Sequence, residues 1–193
     1  MRYFYLSLFF LLGTSLSSET VLLKGGLVHS GDGNSAIIQD ILLSDNIIKA
    51  VGDNLIIDGN TRVIELDGLP VTPGLISPLS NLGIVEINAL DVTRDDESEV
   101  LTAGFSIFNA FNPHSTGIPW NRSNGITSAI STPSPSRASV FGLGSYFILD
   151  GSLEIKGLKD IAMFGRIGAT YGSRAETLSM LDSLLDIGRM LGT

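Results

Sequence analysis

Val71-Thr72-Pro73-Gly74-Leu75-Ile76-Ser77-Pro78-Leu79-Ser80-Asn81-Leu82-Gly83-Ile84-Val85-Glu86-Ile87 is the stretch around which the chain reads. Two apolar runs flank a centre of small and polar residues. Proline fixes one backbone angle and glycine admits left-handed ones, so Pro73-Gly74 reads as a turn opening into a strand. Side chains two apart on a strand share a face, which predicts that Leu79 and Asn81 point the same way.

Toward the N-terminus the sequence is a succession of short apolar segments broken by Gly, Asp and Asn. Val21–Val28 precedes the polar turn Ser30-Gly31-Asp32-Gly33-Asn34. Ala36–Leu43 and Ile47–Val51 flank Ser44-Asp45-Asn46, a hairpin signal. Leu55–Ile57 and Arg62–Leu66 flank Asp58-Gly59-Asn60, which reads as a second hairpin. With no helical period between them, these segments predict a small antiparallel β unit over residues 18–70.

The first twelve residues pair a short basic start with an apolar run, and small residues follow at Ser15 and Ser17. That pattern predicts a secretory signal peptide over residues 1–17 and an exported protein, periplasmic or extracellular. The run is about half of the ~20 residues that a membrane-spanning helix needs, so no stable membrane anchor is expected. The chain has no cysteine, which rules out a lipid-anchored lipoprotein, a disulfide and a thiolate nucleophile or ligand. The net charge of −8 and the lack of any Lys/Arg cluster argue against a nucleic-acid partner. A small-molecule substrate is the expected partner, and nothing in the sequence speaks to oligomeric state.

Beyond Ile87 lies the acidic stretch Asp91–Glu99, read as a solvated loop. It lacks the central glycine and terminal glutamate of an EF-hand loop. Asp91 and Thr93 are candidates for catalysis and substrate binding respectively, because loops after barrel strands build active sites. Ser115 reads as a helix N-cap, with Pro119 in the first turn and Gly125 ending the helix. Gly125–Pro133 reads as a second strand, completing a β–α–β unit. Gly142 and Gly144 lack the third glycine of a dinucleotide fingerprint and read as a turn or close packing. Tyr146–Leu149 and Leu153–Ile155 read as a hairpin, and Ile161–Gly165 as a further strand. From Ser173, a capping box with Glu176 opens a helix whose Leu178, Leu181, Leu184, Leu185 and Met190 form a stripe expected to face the core.

Read together, these segments resemble the N-terminal part of the amidohydrolase superfamily. The resemblance rests on the ordered Gly-Gly, Gly-Asp-Gly and Asp-Gly turns ending in Val71-Thr72-Pro73-Gly74. It runs from Val21 to Ile87 almost without gaps. It implies an α/β chain: part of a β-sandwich over 18–70, then over 71–193 the first strands and helices of an incomplete (β/α)8 TIM-like barrel. A closed barrel takes about 250 residues, so the chain is expected to be the N-terminal fragment of a longer protein.

In that superfamily the first barrel strand ends in Asp-x-His-x-His, and the two histidines bind metal. Here Ser77 stands at the aspartate position, and Leu79 and Asn81 stand at the histidine positions. Leu79 offers no lone pair and Asn81 only a neutral amide oxygen. No metal ligand is therefore assigned in this segment; zinc is expected only if later residues supply the ligands. The run from Asn112 to Thr127 is similar to a secreted, imidazolonepropionase-related branch whose first strand reads Asn-Leu-Gly-x-x-Glu, as Asn81 to Glu86 does here.

The catalytic candidates are thus Asn81, Glu86 and Asp91, and the substrate-binding candidates are Ser80 and Thr93. Glu86 is expected to point away from the Asn81 face and to make a structural salt bridge. His29 and His114 read as surface or capping residues. Three functions stay open: a hydrolase of carbon–nitrogen bonds other than peptide bonds, a pseudoenzyme that keeps the fold for binding, and a small β-rich interaction module. The order of the motifs argues against the last.

Overall fold

Asp45 and Asn46 both take left-handed backbone angles, with φ of 54° and 59°. That geometry matches the twist of a two-residue hairpin, and short polar side chains tolerate it best. The computed structural model, which describes residues 19–98, 100–135, 138–167 and 173–191, places this turn between β2 (Ile37–Ser44) and β3 (Ile47–Gly52). β1 (Thr20–Val28) pairs antiparallel with β2 on one side. On its other side it pairs parallel with β4 (Arg62–Glu65) and with the short β5 (Pro70–Val71).

The first unit, ending at Pro73, is therefore one mixed sheet in the order β3-β2-β1-β4, with β5 continuing the β4 edge. This corrects two expectations. Leu55–Ile57 is not a strand, and Asp58-Gly59-Asn60 is not a hairpin turn. Asp58 instead closes a local loop by accepting from the Thr61 hydroxyl at 2.8 Å, and β4 leaves it to run alongside β1.

The second unit starts at Gly74. β6 (Leu75–Ser80) and β7 (Ile126–Ser131) lie parallel, joined by a long connection that contains helix α1 (Gly117–Ser123). A Cβ at Gly74 would stand 2.0 Å from the Thr127 hydroxyl oxygen, so only glycine permits this close approach of the two strands. Gly125, at φ +88°, ends α1 and leads into β7. The predicted β–α–β unit is present.

After β7 the pattern changes. β8 (Val140–Ile148) and β9 (Gly157–Gly165) are both antiparallel to their neighbours, giving the order β6-β7-β8-β9. Parallel pairing in this sheet is thus confined, among the described residues, to β6 and β7. Gly142 and Gly144 lie inside β8 rather than in a turn; a Cβ on Gly144 would meet the Phe164 ring at 2.3 Å, so close packing is the reason for that glycine. The return arm of the hairpin is β9, not Leu153–Ile155.

The core of this unit gathers Ile84, Ile107, Phe111, Ile118, Ala129, Phe147 and Leu149. Phe147, fully buried from β8, stacks on Phe111 with ring centroids 3.9 Å apart and on Phe108 at 5.6 Å. Helix α2 (Arg174–Leu191) begins as predicted, with the Glu176 amide donating to the Ser173 hydroxyl at 3.1 Å. Its apolar stripe does not face a core: Leu178, Leu184, Leu185 and Met190 are exposed. Helical period defines a face but not what covers it, and none of the described core residues comes from α2.

Candidate functional site

β6 does not run straight into the site. Leu79 sits at φ +54°, and the register with β7 slips between Ser77 and Ser80. One extra residue on the β6 side makes a bulge, which re-aims the side chains that follow. The strict alternation predicted for Leu79 and Asn81 is lost there; Leu79 turns out to solvent, 71% exposed.

The chain then folds back on itself. The amides of Ile84 and Val85 both donate to the Asn81 carbonyl. The Glu86 amide donates to Thr93 O at 3.1 Å and the Asp95 amide to Ile84 O at 3.0 Å, closing a loop between the two short arms. This turn undoes the expectation that Glu86 points away from Asn81. Both residues line one open cleft of about 290 Å³, together with Ser77, Ser80, Ser115 and Asn121.

Glu86 makes no ion pair among the described residues, against the expected salt bridge. Neutral donors hold it instead: Asn112 Nδ2 donates to Oε1 at 3.1 Å and Ser115 Oγ donates to Oε2 at 3.1 Å. Ser115 is thus not the helix cap. Thr116 occupies that position, and its side chain makes no capping bond. Asn112 is itself positioned by its amide, which donates to Gly83 O at 2.7 Å.

Ser80 lines the cleft and donates to Ile130 O at 3.4 Å, so it is partly committed to β7. Asp91 and Thr93 are not part of the cleft. Asp91 opens a 3-10 turn, Asp91–Thr93, and is exposed. The Thr93 hydroxyl donates toward Leu90 O at 2.8 Å and Ile87 O at 3.0 Å and accepts from the Ile87 amide at 3.1 Å, a loop-closing role. His29 and His114 are both exposed, and the His114 amide donates to Asn112 Oδ1 at 3.0 Å.

Sequence reading missed Ser115 and Asn121 as lining residues of the cleft and Asn112 as a partner of Glu86. It also placed Asp96 in a solvated loop. Asp96 is completely buried, held by Arg94 through Nη2–Oδ2 at 3.0 Å and Nε–Oδ1 at 3.3 Å, and by the Ser134 hydroxyl. A forked guanidinium–carboxylate pair of this kind fixes geometry as well as charge. Here it braces the loop that carries Glu86.

A metal is the group that the resembled superfamily would place at the end of this strand, and the residues present do not fit one. Leu79 has no donor atom and Asn81 has a neutral one. Among the described residues no three His, Asp or Glu side chains converge on a point. What the cleft offers is hydroxyls, carboxamides and one carboxylate, a set suited to hydrogen-bonding a small polar molecule.

No family model matches the chain. Among solved structures, an amidohydrolase from Thermotoga maritima MSB8 aligns with a TM-score of 0.70 and 21% identity over 89% of this chain. The fold is shared with an amidohydrolase. The chain spans 48% of the length of that protein. A D-hydantoinase (dihydropyrimidinase) from Thermus sp. aligns over 61% of this chain and 21% of its own at 26% identity and a TM-score of 0.39. Molinate hydrolase aligns over 59% and 24% respectively, at 18% identity and 0.40. Among the described residues no helix is long and apolar enough to cross a membrane. The N-terminal segment assigned to a signal peptide lies outside the described residues.

Proposed function

We propose that this chain belongs to an exported protein of the amidohydrolase superfamily that hydrolyses a carbon–nitrogen bond, other than a peptide bond, in a small cyclic amide or related substrate. The observation that carries the reading is the fold likeness to the Thermotoga amidohydrolase over nine-tenths of the chain. The cleft at the end of β6, the strand that resembles the first barrel strand, supports it.

The roles follow from donor chemistry. A cyclic amide presents a carbonyl and an N–H on one edge, and the Asn81 carboxamide carries the complementary donor and acceptor. Ser80 and Asn121 add hydrogen-bonding capacity at the walls. Glu86, steadied by Asn112 and Ser115, supplies the carboxylate. No step in this cleft is routed through a metal; zinc, if the whole protein uses it, is held by residues other than these.

Leu79 and Asn81 at the histidine positions favour a second reading, a protein that binds such a ring without opening it. Incubating the protein as its gene encodes it with a panel of hydantoins, dihydropyrimidines and lactams, and following the ring-opened acid by NMR, separates the two. Ring opening supports hydrolysis. Saturable binding with no acid formed assigns the binding role, and neither result with any member of the panel removes both.

A further inference from the structure

We infer that the cleft beside β6 selects ligands bearing a positively charged ammonium or guanidinium group, and that Glu86 is the residue that holds the charge. The inference rests on the reading of this cleft as the ligand site.

Among the described residues that line the cleft, Glu86 alone carries a formal charge; Ser77, Ser80, Asn81, Thr116 and Asn121 are neutral. None of the ion pairs of the described residues includes it. Its two hydrogen bonds come one to each oxygen, from an amide and a hydroxyl. Neutral donors orient a carboxylate without cancelling its charge. Each oxygen has a second lone pair, so Glu86 retains acceptor capacity toward the cleft.

Three features distinguish this from an ordinary solvated glutamate. Its backbone is pinned by the amide bond to Thr93 O, and its side chain is pinned by two residues 26 and 29 positions away. One of those, Ser115, is buried. Immobilising three side chains costs conformational entropy, and the result is a fixed acceptor at the wall of a cavity. A fixed, unneutralised carboxylate favours a cationic donor over a neutral one, because charge-assisted hydrogen bonds are the stronger. It disfavours an anion. The net charge of −8 adds a long-range bias of the same sign.

The test is an NMR titration of the native protein with four probes of one length: butylguanidinium, butylammonium, butyramide and butyrate. The two cations should bind about threefold more tightly than butyramide, the gain of a charged donor at an exposed carboxylate. They should shift the amides of Asn81, Glu86 and Ser115, and butyrate should leave them unmoved. Glu86→Gln keeps an acceptor oxygen for Asn112 and can donate its amide to the Ser115 hydroxyl, and it should erase the preference for cations over butyramide. If that variant does not fold, the salt dependence of the wild type serves: the preference must shrink toward about 0.5 M salt, where charges are screened. Equal binding of all four probes overturns the inference, as do cation shifts that map outside the cleft or a preference that survives in Glu86→Gln. Cation binding here without ring opening leaves the inference standing and removes the hydrolase. Ring opening of neutral amides with no cation preference does the reverse.

Discussion

Ser115 donates its hydroxyl to Glu86 Oε2 at 3.1 Å, tying the entry of helix α1 to the segment that follows strand β6. The bond crosses 29 residues of sequence, and the donor is buried although the acceptor is exposed. Ser115→Ala removes one of the two groups that orient Glu86. A hydrogen bond to a charged acceptor contributes roughly 1.5–3 kcal/mol, and partial exposure places this one near the low end. The variant should fold, with ligand affinity in the cleft reduced several-fold in a binding titration and cavity geometry otherwise kept by Asn112.

Gly83 stands at φ +78°, and a Cβ there would lie 2.4 Å from the Phe111 ring. Gly83→Ala therefore combines backbone strain with overpacking, roughly 2–4 kcal/mol together. Because Gly83 O also holds the Asn112 amide, the strain is delivered straight to a Glu86 partner. Urea unfolding should show the loss of stability, and the Glu86 and Asn112 resonances should move together.

The Arg94–Asp96 pair predicts an asymmetry. Asp96 is fully buried and Arg94 is 22% exposed. Truncation by Asp96→Ala leaves Arg94, still bonded to Asn88 O and Oδ1, without a counter-charge in a partly buried site, which costs on the order of 3 kcal/mol. Arg94→Ala leaves the buried carboxylate uncompensated and should cost at least as much. Asp96→Asn, which keeps acceptor and shape, should recover part of the loss. Chemical denaturation of the three variants tests the order.

Asp32 has its carboxyl pulled below the ordinary value of 3.8 to about 2, first by the Ser30 hydroxyl and then by the backbone and side chain of Asn34. The folded value lies below the unfolded one, so the turn gains from ionised Asp32 above pH 3.8 and loses that gain as pH falls toward 2. A carbon-detected titration of the Asp32 carboxyl should show a midpoint near 2. Ser30→Ala should raise it most, toward the ordinary value; an unchanged midpoint in that variant contradicts the assignment.

Phe147 tests the core itself. It is fully buried and stacked on both Phe108 and Phe111. Phe147→Ala should cost about 3–5 kcal/mol, whereas Phe147→Leu should cost less and leave the cleft usable. Thermal melts of the two variants give the comparison.

The parts of the fold that sequence conveyed are those set by local chemistry. Asp45-Asn46 suits the left-handed angles of a two-residue turn, and Pro73-Gly74 punctuates the chain just before β6. Asp58-Gly59-Asn60 carries a similar turn signal, yet β4 pairs with β1; a turn signal says that the chain bends, not which strand it meets. Ser115 shows the same limit at the site. A serine before a helix looks like a cap, and only the tertiary approach of Glu86 claims its hydroxyl. Asp96 was hidden for that reason too, since Arg94 is near in sequence but Ser134 arrives from beyond β7. Ser80, Asn81 and Glu86 were legible as a group because they cluster around one strand end. The shared cleft of Asn81 and Glu86 was not, because the chain folds back between them, with the Ile84 and Val85 amides donating to Asn81 O, and no strand period links the two.

The cleft at the end of β6 is proposed as the place where this protein takes its small-molecule ligand. A crystal structure of the native protein soaked with a hydantoin tests it most directly. Difference density for the ring is expected between Asn81 and Glu86, with its amide edge on the Asn81 carboxamide. Ring density ordered at any other place, with this cleft filled only by solvent, would contradict it.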